Sequence, residues 1–336
     1  MKKILGNRKV KRVLIAVVVI VVVVIALKYI IFPPTKAILT TGAYRIASED
    51  YWVNEDKVDP YANGGSARQL QVRKWYPIDC SEDNPVVVAS HGSCGTIDNN
   101  VTLYRELASH GYTVLAVAHP GQAASVKYES GKKSGPDMSF LREMTALKPE
   151  EDPEKAYEVF HQWMEIRTDD LNAVMDDWTV KSGATKFIAE GHSLGGAAAY
   201  AMARIREDVI GVIALEAPFM YDISGVENGK FVFDENDYDV PLLSIYSDAS
   251  YSHLQEWDQY GNNAKFLESA NPLYTNIHYE NIGHMGLCDL SLASPVLTAI
   301  MDGGFQKVNA ADQLKKLNED CLTWISDLTD LLGTGL

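Results

Sequence analysis

Residues 190–196 read EGHSLGG, directly after the apolar run KFIA (186–189) and directly before AAA (197–199). The run predicts a buried strand and the alanines begin a helix, so Ser193 falls on the turn between them. Gly191-His192-Ser193-Leu194-Gly195 fits G-x-S-x-G in that setting. A serine on so sharp a turn sits in strained backbone, and its neighbours two positions away pack too closely for a Cβ. The turn lifts the hydroxyl above the carboxyl edge of a sheet, at a helix N-terminus that favours developing negative charge. The five-residue pattern alone is weak, and a chance loop carries it as well. The flanking strand, helix and small residues make Ser193 the expected nucleophile.

Outward from this turn, strands and helices alternate from residue 85 onward. PVVVAS (85–90), YTVLAVAHP (112–120), VIGVIALEA (209–217), VPLLSIYSD (240–248) and YTNIHYENI (274–282) predict strands. Continuous apolar runs of this kind suit a sheet buried on both faces. NVTLYRELASHG (100–111), residues 152–178 and residues 312–332 predict helices, the second with Asp152 as N-cap and Pro153 at its first position. This order predicts an α/β fold with a mostly parallel central sheet and helices on both faces. AILTTGAYRIA (37–47) and ARQLQVRKWYPI (67–78) predict two earlier antiparallel strands separated by a loop over 54–66. Residues 121–152 are polar and irregular. They predict an insertion over the site, a lid spanning 121–160.

A serine hydroxyl needs a base. Of eight histidines, His284 follows the last strand and a glycine. Serine, then acid, then histidine is the chain order of this kind of site. His119 precedes the serine, His253 comes before the last strand, and His110, His161 and His278 fall within or at the ends of elements. His284 is the expected base. The acid that orients it is Glu216, ending GVIALEAP, or Asp248, ending PLLSIYSD; the local pattern favours neither. Oxyanion donors are expected from the backbone N–H of Leu194 and of Ser93, in SHGSCG after the strand at 85–90. Gly92 lets that backbone approach, with His91, Gly191, His192 and Gly195 as supporting turn residues.

The chain has 336 residues, 22% of them charged, with 45 acidic and 30 basic side chains and a net charge of −15. Six cations lie in the first twelve residues, and without them the balance falls to −21. Such a body repels nucleic acid and anionic lipid surfaces. The basic flank leads into Val13–Phe32, an apolar run long enough to span a bilayer, interrupted only by Lys28. Residues 1–34 therefore predict a cytoplasmic flank and single membrane anchor, and 35–336 an extracytoplasmic catalytic domain. The alternative is a secreted domain released by signal-peptide cleavage, but Val24-Ile25-Ala26 is a poor cleavage site. Cys80, Cys94, Cys288 and Cys321 form no C-x-x-C pair, so no metal site is expected. Cys94 and Cys288 would bridge if the oxyanion and histidine loops meet. The oligomeric state is not encoded in any pattern of this chain.

PVVVASHGSCG (85–95), ASHGYTVLAVAHP (108–120), FIAEGHSLGGAAA (187–199) and GVIALEAP (211–218), with LQVRKWYP (70–77) before them, resemble the platelet-activating-factor acetylhydrolases and their bacterial carboxylesterase relatives in the α/β-hydrolase superfamily. The likeness covers most of residues 40–290. It implies an acid at Glu216, where the family carries aspartate; many other α/β-hydrolases place it after the next strand, at Asp248. It also implies oxyanion donors at Ser93 and Leu194, no metal or cofactor, and small or lipid-like esters as substrates. Two competing expectations are acyl transfer or peptidase action at the cell envelope with the same triad, and a non-catalytic binding protein, which the presence of both nucleophile and base disfavours.

Overall fold

The computed structural model describes residues 8–62, 65–80 and 84–333. The first seven residues, with part of the basic flank, lie outside it. Helix α1 (Arg8–Ile31) is followed by β1 (Ile46–Val58), β2 (Ala67–Pro77), β3 (Val86–Ser90), α2 (Val101–Ser109) and β4 (Val114–Ala118). A small hairpin, β5 (Val126–Lys127) and β6 (Lys133–Ser134), precedes α3 (Met138–Ala146) and the long α4 (Pro153–Ser182). Then come β7 (Phe187–His192), α5 (Leu194–Ile205), β8 (Val209–Leu215), a second hairpin β9 (Ile223–Glu227) and β10 (Lys230–Phe233), and β11 (Leu242–Ser247). The chain closes with α6 (Asp248–Tyr251), α7 (Gly261–Glu268), β12 (Tyr274–Tyr279), α8 (Leu290–Ala293), α9 (Pro295–Met301) and α10 (Ala310–Gly333).

Eight strands form one sheet in the order β1-β2-β4-β3-β7-β8-β11-β12. β1, β2 and β4 pair antiparallel, and every pairing from β4 to β12 is parallel. β7, which carries the serine turn, therefore lies in the middle, between β3 and β8. The buried strands expose alternate residues to two cores. Val87, Ala89, Ile188 and Ile213 pack under α2 and α10 with Leu107, Leu314 and Ile325. Val86, Val88, Phe187 and Val212 pack under α4 and α5 with Leu171, Met175 and Tyr200. Asp152 caps α4 as expected, its carboxylate accepting from Lys155 N at 3.0 Å.

Three local expectations shift. Strand β1 starts only at Ile46 and continues into the expected loop, with Asn54 paired to Gln69 and, past a bulge, Val58 to Ala67. Asn54, Asp56 and Lys57 look like loop residues because β1 is an edge strand, where charges face water and deter pairing with other chains. The irregular stretch 121–152 holds α3, capped by the Asp137 carboxylate on Ser139 N at 2.7 Å. The β9–β10 hairpin was not anticipated, although Asn228-Gly229, both at positive φ (53° and 75°), is its turn signal.

Within α1, Lys11–Ile31 has a mean hydropathy of 3.2 and no buried window. It is, among the described residues, the one helix long and apolar enough to cross a membrane.

Candidate active site

The ends of β3, β7 and β8 bring three sequence-separated segments together. Ser90 is in register with Gly191, and His192 with Leu215. The loop after β3, the serine turn and Glu216 thus emerge side by side at the carboxyl edge. Ser193 has φ 56° and ψ −123°, a conformation that L-residues adopt only under constraint. The glycines show what supplies the constraint. A Cβ on Gly195 would lie 1.9 Å from the Ser90 carbonyl oxygen, and one on Gly191 would lie 2.3 Å from the Gly195 carbonyl carbon. Backbone cannot yield as a side-chain tip can. Gly195→Ala is therefore expected to destabilise the fold by at least about 3 kcal/mol, read from urea denaturation. A wild-type midpoint would sink this reading of the turn.

Gly92 packs against the serine turn, its Cβ position 3.2 Å from both Ser193 Cβ and His192 Nδ1. The N–H of Ser93 takes no hydrogen-bond partner among the described residues, and that of Leu194 opens α5, where the first N–H groups are free. Both expected oxyanion donors are therefore available beside the hydroxyl.

His284 lies in a short turn after β12. Its ring sits 4.6 Å, centroid to centroid, from that of His192. His192 Nε2–H donates to the His284 carbonyl at 3.0 Å, tying the histidine loop to the serine turn. The rings of Ser193's neighbour and of the expected base thus touch, but His284 itself has no side-chain hydrogen bond to Ser193, Glu216 or Asp248 among the described residues. Unliganded sites often hold such contacts long until substrate draws them in. Burial, then the neighbouring His192, lowers the His284 pKa to about 3. Burial likewise lowers that of His192 to about 4.

The two candidate acids differ sharply. Asp248 is exposed, and both its oxygens are engaged, by His278 Nε2 at 2.9 Å and by Asn281 N at 2.8 Å. Glu216 is 1% exposed; one oxygen accepts from Ser247 N and the other, Oε1, has no partner. Burial raises its pKa to about 7, opposed by the nearby Ser250 and by the Ser247 N–H.

Beneath the Ser93 loop lies a network that no local pattern announces. Arg167, fully buried, donates to Gln122 Oε1 at 2.5 Å, to Ser90 Oγ at 3.1 Å and to the His91 carbonyl at 2.5 Å. Ser90 Oγ meets His119 Nε2 at 2.9 Å, His119 Nδ1 meets Asp170 at 2.7 Å, and Arg68 holds Asp170 with two bonds of 2.6 and 2.8 Å. Ser90, His119 and Asp170 have the atoms of a catalytic triad, but they are at most 1% exposed and no substrate reaches them. They brace the end of β3. His91 adds Nδ1–H to the Gly92 carbonyl at 2.6 Å. These residues span more than a hundred positions, so only the fold brings them together.

Leu194 and Ala197 are buried in a cluster with Phe140 of α3, Phe160 and Trp163 of α4, and Ile223 and Phe231 of the β9–β10 hairpin. The rings of Phe140 and Trp163 pack edge to face, their centroids 5.3 Å apart. Apolar side chains from α3, α4 and this hairpin therefore cover the start of α5. The bridge from Cys94 to Cys288 does not form, and all four cysteines are free thiols. Cys94 packs toward the cluster over α5, whereas Cys288 turns inward and donates to the Met285 carbonyl at 3.4 Å.

Comparison with known proteins agrees with this architecture. The family model for serine aminopeptidase, S33, matches residues 81–231. A probable 1-alkyl-2-acetylglycerophosphocholine esterase from Arthroderma benhamiae is 27% identical over 171 residues, which is 50% of this chain and 40% of the relative. The chain thus matches well under half of that relative's length. A ferulic acid esterase from Streptomyces cinnamoneus superposes with a TM-score of 0.62 at 18% identity, covering 86% of this chain and 91% of its own. A dienelactone hydrolase-like promiscuous phosphotriesterase from metagenomic libraries gives 0.53 at 14% identity, covering 84% and 99%. At those identities the structural likeness speaks for the fold. The chain has the α/β-hydrolase fold.

Proposed function

We propose that this chain is a serine carboxylic ester hydrolase working through an acyl-enzyme. The observation that carries the reading is the convergence of Ser193, the free N–H of Ser93 and Glu216 at the ends of three adjacent strands, with the His284 loop tied to the serine turn by His192. Ser193 attacks the ester carbonyl as His284 takes its proton. The N–H groups of Ser93 and Leu194 hold the oxyanion, and His284 then activates the water that releases the acid. Glu216, buried with one oxygen unpaired, is the acid that orients His284. Residues 121–160 act as part of a lid, and the apolar cover over Leu194 suits a short or lipid-like acyl group. The name of the matched relative points the same way. Helix α1 serves as an uncleaved anchor, with the domain of residues 35–336 outside the cytoplasm and the basic flank inside. Labelling of Ser193 by a fluorophosphonate, with a hydrolysis profile across acyl lengths, tests the reading. An unlabelled native chain would overturn it.

Peptidase action is a second reading, favoured by the name of the matched family. Cleavage of aminoacyl amides faster than of the matching esters would establish it instead.

The pKa directions set the pH profile. Glu216 must be a carboxylate to serve His284, and burial holds it protonated below about pH 7. His284 stays neutral down to about pH 3. Activity is therefore expected to rise with pH through about 7, and the group responsible is the acid. A kcat/KM profile flat from pH 5 to pH 8 would contradict this assignment.

A further inference from the structure

Ile300, Met301 and Phe305 are 70%, 60% and 73% exposed, three large apolar side chains within six positions at the end of α9. Their place in the fold gives them a neighbour. Ser294, directly before α9, donates through Oγ to the carbonyl of Ile31, the last residue of α1, at 2.5 Å. α9 packs against α1 as well. Phe305 shares a cavity of about 360 Å³ with Thr35 and Lys36, in the stretch that leaves α1, and with Pro295 and Val308. The apolar patch thus begins where the apolar helix ends.

Charge points the same way. The body is strongly acidic, yet Lys36 lines the cavity and Lys307 is exposed in the turn after the patch, while the exposed Asp312 beyond Ala311 faces Lys315 at 3.9 Å. The acid within the patch, Asp302, turns inward. Its Oδ1 accepts from Met285 N at 3.0 Å, and its carboxylate sits 2.5 Å from where a Cβ on Gly283 would be. Gly283 and Met285 flank His284.

We propose that α9 and the turn after it form a lipid-docking face, seated in the head-group and upper acyl region of the bilayer that α1 crosses. This rests on the anchor reading of α1. An apolar face with lysines beside it is a composition that interfacial binding uses, and a cluster of large exposed apolar side chains marks an interaction surface. Through Asp302 the face is coupled to the histidine loop. Docking therefore holds the mouth of the site against the membrane surface, and the esters it receives are those partitioned into lipid.

The test uses the full chain in vesicles of phosphatidylcholine and phosphatidylglycerol. The triple variant Ile300→Ser, Met301→Ser, Phe305→Ser is expected to hydrolyse a water-soluble acetate ester within about twofold of wild type. Its rate on a long-chain ester carried in the bilayer is expected to fall about tenfold or more. Equal retention of both rates overturns the proposal. A second measurement stands apart from activity: Phe305→Trp in vesicles containing brominated lipid is expected to show strong added quenching of tryptophan emission. A chain that stays with the vesicles through an alkaline carbonate wash but shows no added quenching removes the docking face alone. Release of the chain by the wash removes the anchor reading and the docking face with it.

Discussion

Ser193→Ala is expected to lower kcat for ester hydrolysis by about 10⁴ to 10⁶-fold while leaving the fold intact. His284→Ala is expected to cost about as much, and the double variant little more, because the two act as one unit. The residual rate reports the oxyanion donors alone. A further consequence follows from the backbone. Ser193 holds φ 56° with a side chain, a strain worth about 1–3 kcal/mol. Ser193→Gly is therefore expected to be as inactive as the alanine variant and more stable than wild type. Kinetics on a soluble ester and urea denaturation of both variants check the pair. An active Ser193→Ala enzyme would end the nucleophile assignment, and a Ser193→Gly variant less stable than wild type would show that the turn is not strained.

Glu216→Gln is expected to lose about 10⁴ in kcat, since an amide neither fixes the histidine tautomer nor stabilises the imidazolium. Asp248→Asn is expected to stay within about tenfold of wild type. Its oxygens hold His278 and the backbone of Asn281, and an amide oxygen can still accept one of these. Asp248 in this reading positions the histidine loop, whose Ile282 carbonyl also accepts from the Asp248 N–H at 3.2 Å. The reverse outcome, a severe Asp248→Asn defect beside a mild Glu216→Gln one, would move the acid to the next strand.

The elements that carry the site were the easiest to read. The runs 86–90 and 114–118 are apolar at every position or nearly so, and 187–192 begins Phe-Ile-Ala, because both faces of those strands are covered. A two-sided burial demand leaves little room for other residues. The serine turn was legible for a similar reason: Gly191, Gly195 and Gly196 stand where a Cβ would strike the Ser90 carbonyl, Gly195 backbone or Ala217. Elements whose residues answer to water were harder. β1 carries charges as an edge strand, and α3, within a polar stretch, buries only Phe140 of its own residues. The choice between Glu216 and Asp248 was not readable, because both end a buried strand. Burial and unpaired oxygens differ only after β11, α6 and the His278 ring are in place.

Sequence by itself determined the strand–turn–helix that presents Ser193 and the parallel sheet around it, together with a helix apolar enough for a bilayer. Each is a local demand, met by residues within a few positions of one another. The tertiary structure alone decided that Arg167, His119 and Asp170 brace the end of β3, that His192 holds the His284 loop, and that Cys94 and Cys288 stay apart. Those contacts join residues tens to hundreds of positions apart. Polar side chains of that kind are chosen by the partner they meet in space, which no run of neighbouring residues records.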